Sequence, residues 1–172
     1  MTRIGDDGLD CGMAYQQACI ASWVESGAKV VAVNVAEELE WASATFPLVG
    51  MIPTPSDSRE HNSGRPLPYI HDLFRAASFQ AEGPYCGVIN SDIYLKGFGK
   101  KWADLERALP GGLVVFRRME MGWPSFREVG VYPFGFDMFV MDKRVGRLIP
   151  DSLFAGKFSF TPMQACCELG LG

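Results

Sequence analysis

Tyr85-Cys86-Gly87-Val88-Ile89-Asn90-Ser91-Asp92-Ile93 is an apolar run that leads directly into three polar residues. Such a run predicts a buried strand over residues 85–89. The carboxyl group of Asp92 is then expected at the carboxyl end of that strand, where open α/β sheets bind ligands. Burying a carboxylate without a partner costs several kcal/mol. The pattern therefore predicts a metal ion or a hydrogen-bond partner beside Asp92.

On both sides of this strand, helical and strand patterns alternate along the chain. This order predicts an α/β fold of three αβα layers around an open, mixed and mainly parallel sheet. One domain is expected over residues 1–172, with loose ends at 1–12 and 163–172. Helices are predicted over 15–25, 36–45, 68–80 and 101–109, and strands over 29–35, 48–52, 85–89, 113–116 and 138–141.

Composition excludes several classes of function. The net charge is −4, and no basic run marks a surface for nucleic acid. Five cysteines without metal-ligand spacing argue for free thiols and against a zinc site or a disulfide framework. The acidic first ten residues do not resemble a signal peptide, and no apolar run is long enough to span a membrane. A cytoplasmic protein is expected.

Asn90 and Asp92 are two residues apart, so in an extended chain both side chains face the same side. Oxygen ligands of this kind suit Mn²⁺ or Mg²⁺, which also bind phosphate and water. The pattern is short, however, and Asn, Ser and Asp are also common in strand-end turns. From the segment alone, a metal site and a plain turn stay equally open.

Several segments, taken in order, resemble the glycosyltransferases of the GT-A fold, which use nucleotide-sugar donors. Asn90-Ser91-Asp92 is similar to their D-x-D motif, which ends a central strand and holds a divalent metal and the diphosphate. Residues 17–23 resemble their early helix of the form Q-x-A-I-x-S-W. Residues 65–77 resemble the stretch before the metal motif, and residues 135–140 resemble a G-x-D-x-F-V segment. The resemblance extends over about residues 15–160.

The resemblance implies a metal-dependent transfer of a sugar from a nucleotide-sugar donor to an unknown acceptor. Mn²⁺ or Mg²⁺ is expected on Asp92, with Asn90 as a second ligand. Asp137 is expected to be the general base for the acceptor hydroxyl. Further contacts to phosphate are expected from Lys96, Arg117 or Arg118. The residues assigned to the nucleotide sugar are Asn34, Arg65, Asn90, Ser91 and Asp92.

Three departures from the family pattern keep other interpretations open. Asn90 replaces the first acid of the motif, residues 1–5 match the first nucleotide-contacting strand poorly, and the chain ends soon after Pro162. A shortened or degenerate transferase, or a non-catalytic nucleotide- or sugar-binding module, is the alternative. A nucleotidyltransferase ranks lower because the Gly-rich phosphate loop is missing. His61 and His71 have no triad context, which argues against a hydrolase.

Overall fold

The computed structural model describes residues 11–60, 64, 66–122, 127–132, 136–149 and 164–169. Each predicted helix and strand is present, with ends shifted by a few residues. The helices are α1 (Cys11–Glu25), α2 (Leu39–Thr45), α3 (Ile70–Gln80), α4 (Trp102–Ala108) and α5 (Lys143–Gly146). The strands are β1 (Ala28–Asn34), β2 (Gly50–Pro53), β3 (Tyr85–Asn90), β4 (Leu113–Phe116), β5 (Met119–Gly122), β6 (Arg127–Val131), β7 (Met138–Asp142) and β8 (Gln164–Leu169).

Six strands form one mixed sheet in the order β2-β1-β8-β3-β7-β4, and β5 and β6 form a separate antiparallel pair. The predicted mixed α/β class is confirmed, but the expectation of a mainly parallel sheet is wrong. Only β1 and β2 pair in parallel, and the other four pairings are antiparallel. The reason is that β7 and β8 run opposite to β1, β3 and β4 and lie between them.

Helices cover both faces of this sheet. Alternate residues of β1 enter two separate apolar clusters, so that Val30 and Ala32 pack on one side and Val31 and Val33 on the other. The first cluster includes residues of α1 and α4, and the second is built on α3. This double burial explains why the sequence of β1 is almost continuously apolar. Within the described residues, no helix has the length and apolar character needed to cross a bilayer.

The chain end departs most from the sequence analysis. Residues 163–172 are predicted to be a loose end, but Gln164–Leu169 form β8, which pairs with β1 on one side and β3 on the other. The prediction is therefore wrong for these six residues, and it is also wrong for Cys11 and Gly12, which belong to α1. A strand flanked by two partners is stabilised by hydrogen bonds on both edges, which a short sequence pattern does not reveal.

The end of α1 follows the prediction. Gly27 has φ of +91°, a conformation that L residues with a side chain rarely adopt, and its N–H donates to the carbonyl of Val24 at 2.9 Å. This is the left-handed C-terminal cap that a glycine at this position favours. The cap turns the chain directly into β1. Helix α1 packs on the sheet, and its side chains contact the residues that follow β3.

Candidate functional site

The carboxyl ends of β1 and β3 lie at the same edge of the sheet. Gln164 of β8 pairs with Val33 on one side and with Asn90 on the other. Asn34, the last residue of β1, is therefore close to the level of Asn90. Because neighbouring strands are about 4.8 Å apart, the two backbones are separated by about 10 Å. The fold thus places two of the predicted nucleotide-binding residues, Asn34 and Asn90, along one rim.

Asp137 is the buried carboxylate of this rim, with 6% of the residue exposed. Its Oδ1 accepts hydrogen bonds from Asn90 Nδ2 at 3.0 Å and from Arg118 Nη1 at 2.9 Å. Its backbone joins the end of β3 to the end of β4, since Asn90 N donates to Asp137 O and Asp137 N donates to Phe116 O. Oδ2 is buried and finds no hydrogen-bond partner in the described part of the chain. Oδ1 therefore fixes the carboxylate, whereas Oδ2 is a buried acceptor that no described residue satisfies.

Arg118 is held in place from several directions. Its Nε donates to Glu120 Oε1 at 2.8 Å, and its guanidinium lies 3.9 Å from the centre of the Tyr132 ring. Glu120 and Asp137 both favour the charged form and help raise the pKa of Arg118, against the opposing effect of burial. From the sequence, Arg118 is expected only as a phosphate contact, because no pattern in the sequence predicts its hydrogen bond to Asp137.

Asp92 differs from its prediction in two ways. β3 ends at Asn90, and Ile93 N donates to Asn90 O at 3.2 Å, so Ser91 and Asp92 lie in a turn. The assumption that Asn90 and Asp92 face the same side in an extended chain therefore fails. Asp92 is also exposed to solvent, so the expectation of a buried carboxylate at this position is wrong, and the buried carboxylate beside Asn90 is Asp137.

The carboxyl group of Asp92 nonetheless lies in a crowded environment. Desolvation by surrounding protein atoms is the largest effect on its pKa, which is raised above the ordinary value. Asp137 and Glu120 add to this rise through charge repulsion, while the backbone N–H of Asp92 and the charge of Arg118 oppose it. The charge of a neighbouring acid therefore disfavours the ionised form of Asp92, a kind of perturbation that is common in functional sites.

Three side chains of α1 hold the segment that contains Asp92. Tyr15 Oη donates to the carbonyl of Asp92 at 2.9 Å, and Trp23 Nε1 donates to that of Ile93 at 2.7 Å. Leu95 N donates to Ser22 Oγ at 2.9 Å. The sequence predicts a helix here, but it does not predict that side chains of this helix contact residues 92–95. The feature of the sequence that bears on this contact is the Ser22-Trp23 pair, which lies in the segment that resembles the early helix of the family.

Two further predicted residues are buried with an unsatisfied oxygen. Ser91 is 2% exposed and Asn34 is 1% exposed. Ser91 Oγ and Asn34 Oδ1 lack hydrogen-bond partners within the ranges that the structure describes. Buried polar atoms are nearly always paired, so each such atom calls for an explanation, and a bound ligand is one.

The predicted basic residues give no phosphate cluster among the described side chains. Lys96 forms an exposed ion pair with Glu128 at 3.2 Å. Arg117 is exposed and lies 5.4 Å from the centre of the Phe136 ring. Arg65 and His61 lie outside the described residues. Their predicted roles stay predictions.

The oxygen atoms at this rim suit a hard divalent cation. In the described ranges, no group of three or more His, Cys, Asp or Glu side chains is placed to hold a metal. Mg²⁺, however, is often held by one or two carboxylates together with water and substrate phosphates. Asp92, reachable from solvent, and Asp137 Oδ2, without a protein partner, fit that mode. Asn90 directs its amide N–H to Asp137, which orients that carboxylate and makes Asn90 a weaker candidate ligand.

Comparisons of the chain with models of protein families, with curated proteins and with solved structures find no match.

Proposed function

We propose that this chain is a nucleotide-sugar glycosyltransferase of the GT-A type, with its reaction centre at the carboxyl end of β3. The observation that carries the proposal is the state of Asp137. This carboxylate is buried and anchored through Oδ1 by Asn90 and Arg118, while Oδ2 has no partner among the described residues. This arrangement supports the role of a general base for a hydroxyl group, in which one oxygen fixes the orientation and the other accepts the proton.

In the proposed reaction, Asp137 Oδ2 accepts the proton of the acceptor hydroxyl as that oxygen attacks the donor sugar. Asn90 and Arg118 keep the carboxylate from rotating, and Arg118 compensates its charge inside the fold. The bond from the sugar to the nucleoside diphosphate breaks, and the diphosphate leaves with the bonding electron pair. This scheme does not depend on which sugar or acceptor is used.

Asp92 is proposed to bind the diphosphate end of the donor through Mn²⁺ or Mg²⁺. When bound, such an ion acts as a Lewis acid that stabilises the charge on the leaving diphosphate. Tyr15 and Trp23 of α1 fix the backbone of residues 92 and 93, and the charge of Asp137 acts on the carboxyl group of Asp92. Asn34 and Ser91, with their buried unpaired oxygens, are proposed to contact other parts of the donor.

A thermal-shift experiment tests the binding part of this proposal. UDP, GDP and CDP are each added to the full chain with and without Mn²⁺, and stabilisation by at least one of them should require the metal. The shift should disappear in Asp92→Ala and persist in Asp104→Ala, a matched control in which an exposed acid of α4 is removed. If no nucleotide stabilises the chain, or if Asp92→Ala responds like the parent, the proposal fails.

A non-catalytic nucleotide- or sugar-binding module is the second candidate. It is favoured by the ion pair between Arg118 and Asp137, which already neutralises the proposed base, and by Asn90 in the place of an acid. This candidate predicts the same metal-dependent stabilisation by a nucleotide. It differs in predicting no cleavage of any nucleotide sugar.

A further inference from the structure

A second polar network lies at the carboxyl ends of β1 and β2, apart from Asp92 and Asp137. The carbonyl of Asn34 accepts a hydrogen bond from Thr54 N at 2.8 Å, and Thr54 Oγ1 lies 3.1 Å from Asp72 Oδ2. The other oxygen of Asp72, Oδ1, lies 3.3 Å from His71 Nε2. Asn34 and His71 thus belong to one connected network that joins β1, the residue after β2 and the first turn of α3.

Two hydrogen-bonding atoms of this network are buried without a partner in the described ranges: Asn34 Oδ1 and His71 Nδ1. Their chemical character can be assigned from their surroundings. Asn34 Nδ2 faces the carboxylate of Glu38 at 3.4 Å, which fixes the amide so that Oδ1 points away. In a neutral imidazole, a proton on Nε2 beside the Asp72 carboxylate leaves Nδ1 as an acceptor.

The surroundings also limit the charge of a ligand. Arg59 is paired with Glu37 at 2.8 Å and with Asp57 at 3.2 Å. Asp72 and Glu38 add two more carboxylates to the same end of β1 and β2, so among the described residues of this network four carboxylates outnumber Arg59. An anion such as a phosphate group would be repelled here.

We propose that Asn34 Oδ1 and His71 Nδ1 form a binding site for an uncharged group with two hydrogen-bond donors, such as neighbouring sugar hydroxyls. Two buried acceptors without partners require donors, and the local excess of carboxylates disfavours anions. The ring of Tyr69 stacks on His71 with centroids 5.5 Å apart and an angle of 12° between the planes, which holds the imidazole in place. Asn34 Oδ1 is the same atom that is proposed above to contact the donor, so the assignment of that contact to hydroxyl groups rests on the proposed function. Uncharged probes are expected to bind without nucleotide or metal.

The chain has only two histidines, so ring nitrogens can be observed directly. In the full chain with His61→Gln and ¹⁵N-labelled histidine, NMR should show His71 with a proton on Nε2 and none on Nδ1. Methyl glucoside and uridine serve as neutral probes without metal, one for a free sugar and the other for a ribose. At least one should shift the Nδ1 signal in a saturable manner, and the responding probe identifies the source of the hydroxyls.

Two variants test the same site by weakening it. His71→Phe keeps an aromatic ring against Tyr69 but lacks the acceptor, and it should bind the responding probe at least tenfold more weakly. Because His71→Phe has no imidazole signal, binding is followed through backbone amide shifts in both proteins. Asn34→Leu removes the other acceptor and should lose binding as well. A protonated Nδ1 in the ligand-free chain, no shift with either probe, or unchanged binding in His71→Phe would each overturn the proposal.

Discussion

The structure has two acids at this rim in different surroundings, Asp137 and Asp92. The sequence predicts one buried carboxylate there, that of Asp92. Asp137 is buried and anchored, whereas Asp92 reaches solvent and is crowded by protein atoms. Desolvation disfavours the ionised form of Asp92, and the nearby acids add to this effect. A ligand that carries positive charge would relieve this cost. The raised pKa of Asp92 therefore has a measurable consequence for stability.

Asp92→Asn is expected to stabilise the chain at neutral pH. The pKa of Asp92 is raised in the folded state above 3.8, its ordinary value. The folded chain therefore binds the proton more tightly, and stability is lost as the pH rises through the folded pKa. Urea unfolding at pH 7 should show the variant to be more stable than the parent, and below both pKa values the difference should vanish. A variant less stable than the parent at pH 7 would contradict the assignment.

The residues of the site can be named from the sequence, but the hydrogen bonds between them cannot be predicted from it. The apolar run before Asn90 and the placement of Asp137 before a strand were sufficient to nominate both residues. The bonds from Arg118 and Asn90 to Asp137 join residues that are 19 and 47 positions apart in the chain. No local pattern reports such contacts. The turn after Asn90, by contrast, is one of the two alternatives that Asn, Ser and Asp leave open in the sequence.

Helix α1 supports both the core and the site. Trp23 is fully buried, and its indole N–H donates to the carbonyl of Ile93, just after the motif. Gln17 to Trp23 was predicted only as a helix that resembles a family segment. The structure adds that this helix fixes the backbone beside Asp92. Stability and ligand binding should therefore respond together to a change at Trp23.

Trp23→Phe is expected to lower the free energy of unfolding by about 2–4 kcal/mol, because it leaves a cavity and removes the donor to Ile93 O. It should also weaken any nucleotide response that depends on Asp92. Trp41→Phe is the matched control, since Trp41 is 52% exposed on α2 and its replacement should cost little. Urea denaturation of the three proteins measures the effect. Equal losses in the two variants would show that the contact with Ile93 contributes nothing.

Asp142 joins the end of β7 to the turn before β4. Its carboxylate accepts hydrogen bonds from Gly111 N at 3.0 Å and from Arg144 N at 2.9 Å, and it also pairs with the guanidinium of Arg144. These bonds, led by the side chain of Arg144, hold the pKa of Asp142 well below its ordinary value. The contribution is therefore present at neutral pH and is lost as the pH falls through the low folded pKa.

Asp142→Ala is expected to cost about 2–3 kcal/mol at pH 7, because it removes the cap of α5 and leaves two N–H groups without an acceptor. The cost should shrink in strong acid, where the parent carboxyl group is protonated as well. Asp104→Ala, which removes an acid whose side chain is 63% exposed, should change stability by less than about 0.5 kcal/mol. Chemical denaturation across pH distinguishes the two, and a pH-independent loss would refute the assignment.

The arrangement of the whole sheet depends on β8. The sequence predicts five strands in a mainly parallel sheet. In the structure β1, β2, β3 and β4 run in the same direction, whereas β7, the fifth predicted strand, runs opposite to them. The sequence does not predict that β7 and β8 lie between β1, β3 and β4. Pairing between distant segments depends on which edges are available after the rest of the sheet forms, and a single strand's sequence contains little of that information.

Cys166→Pro is expected to destabilise the chain by at least about 3 kcal/mol, since a proline in a central strand removes a hydrogen-bond donor. Cys166 pairs with Val31 on one side and Val88 on the other. Cys166→Ala keeps the backbone N–H and is the control. Hydrogen exchange of the parent should show protected amides in Gln164–Leu169. Fast exchange there, or a harmless proline, would show that β8 is not a central strand in solution.

Turnover of a nucleotide sugar tests the central claim that Asp137 is a positioned base. The full chain with Mn²⁺ is incubated with UDP-, GDP- and CDP-sugars, and release of the nucleoside diphosphate is measured for the parent and for Asp137→Asn. We expect release by the parent and a rate about 100- to 10,000-fold lower in the variant, with stabilisation by the nucleotide retained. Equal rates in the two proteins, or nucleotide binding without any release by the parent, would contradict the claim.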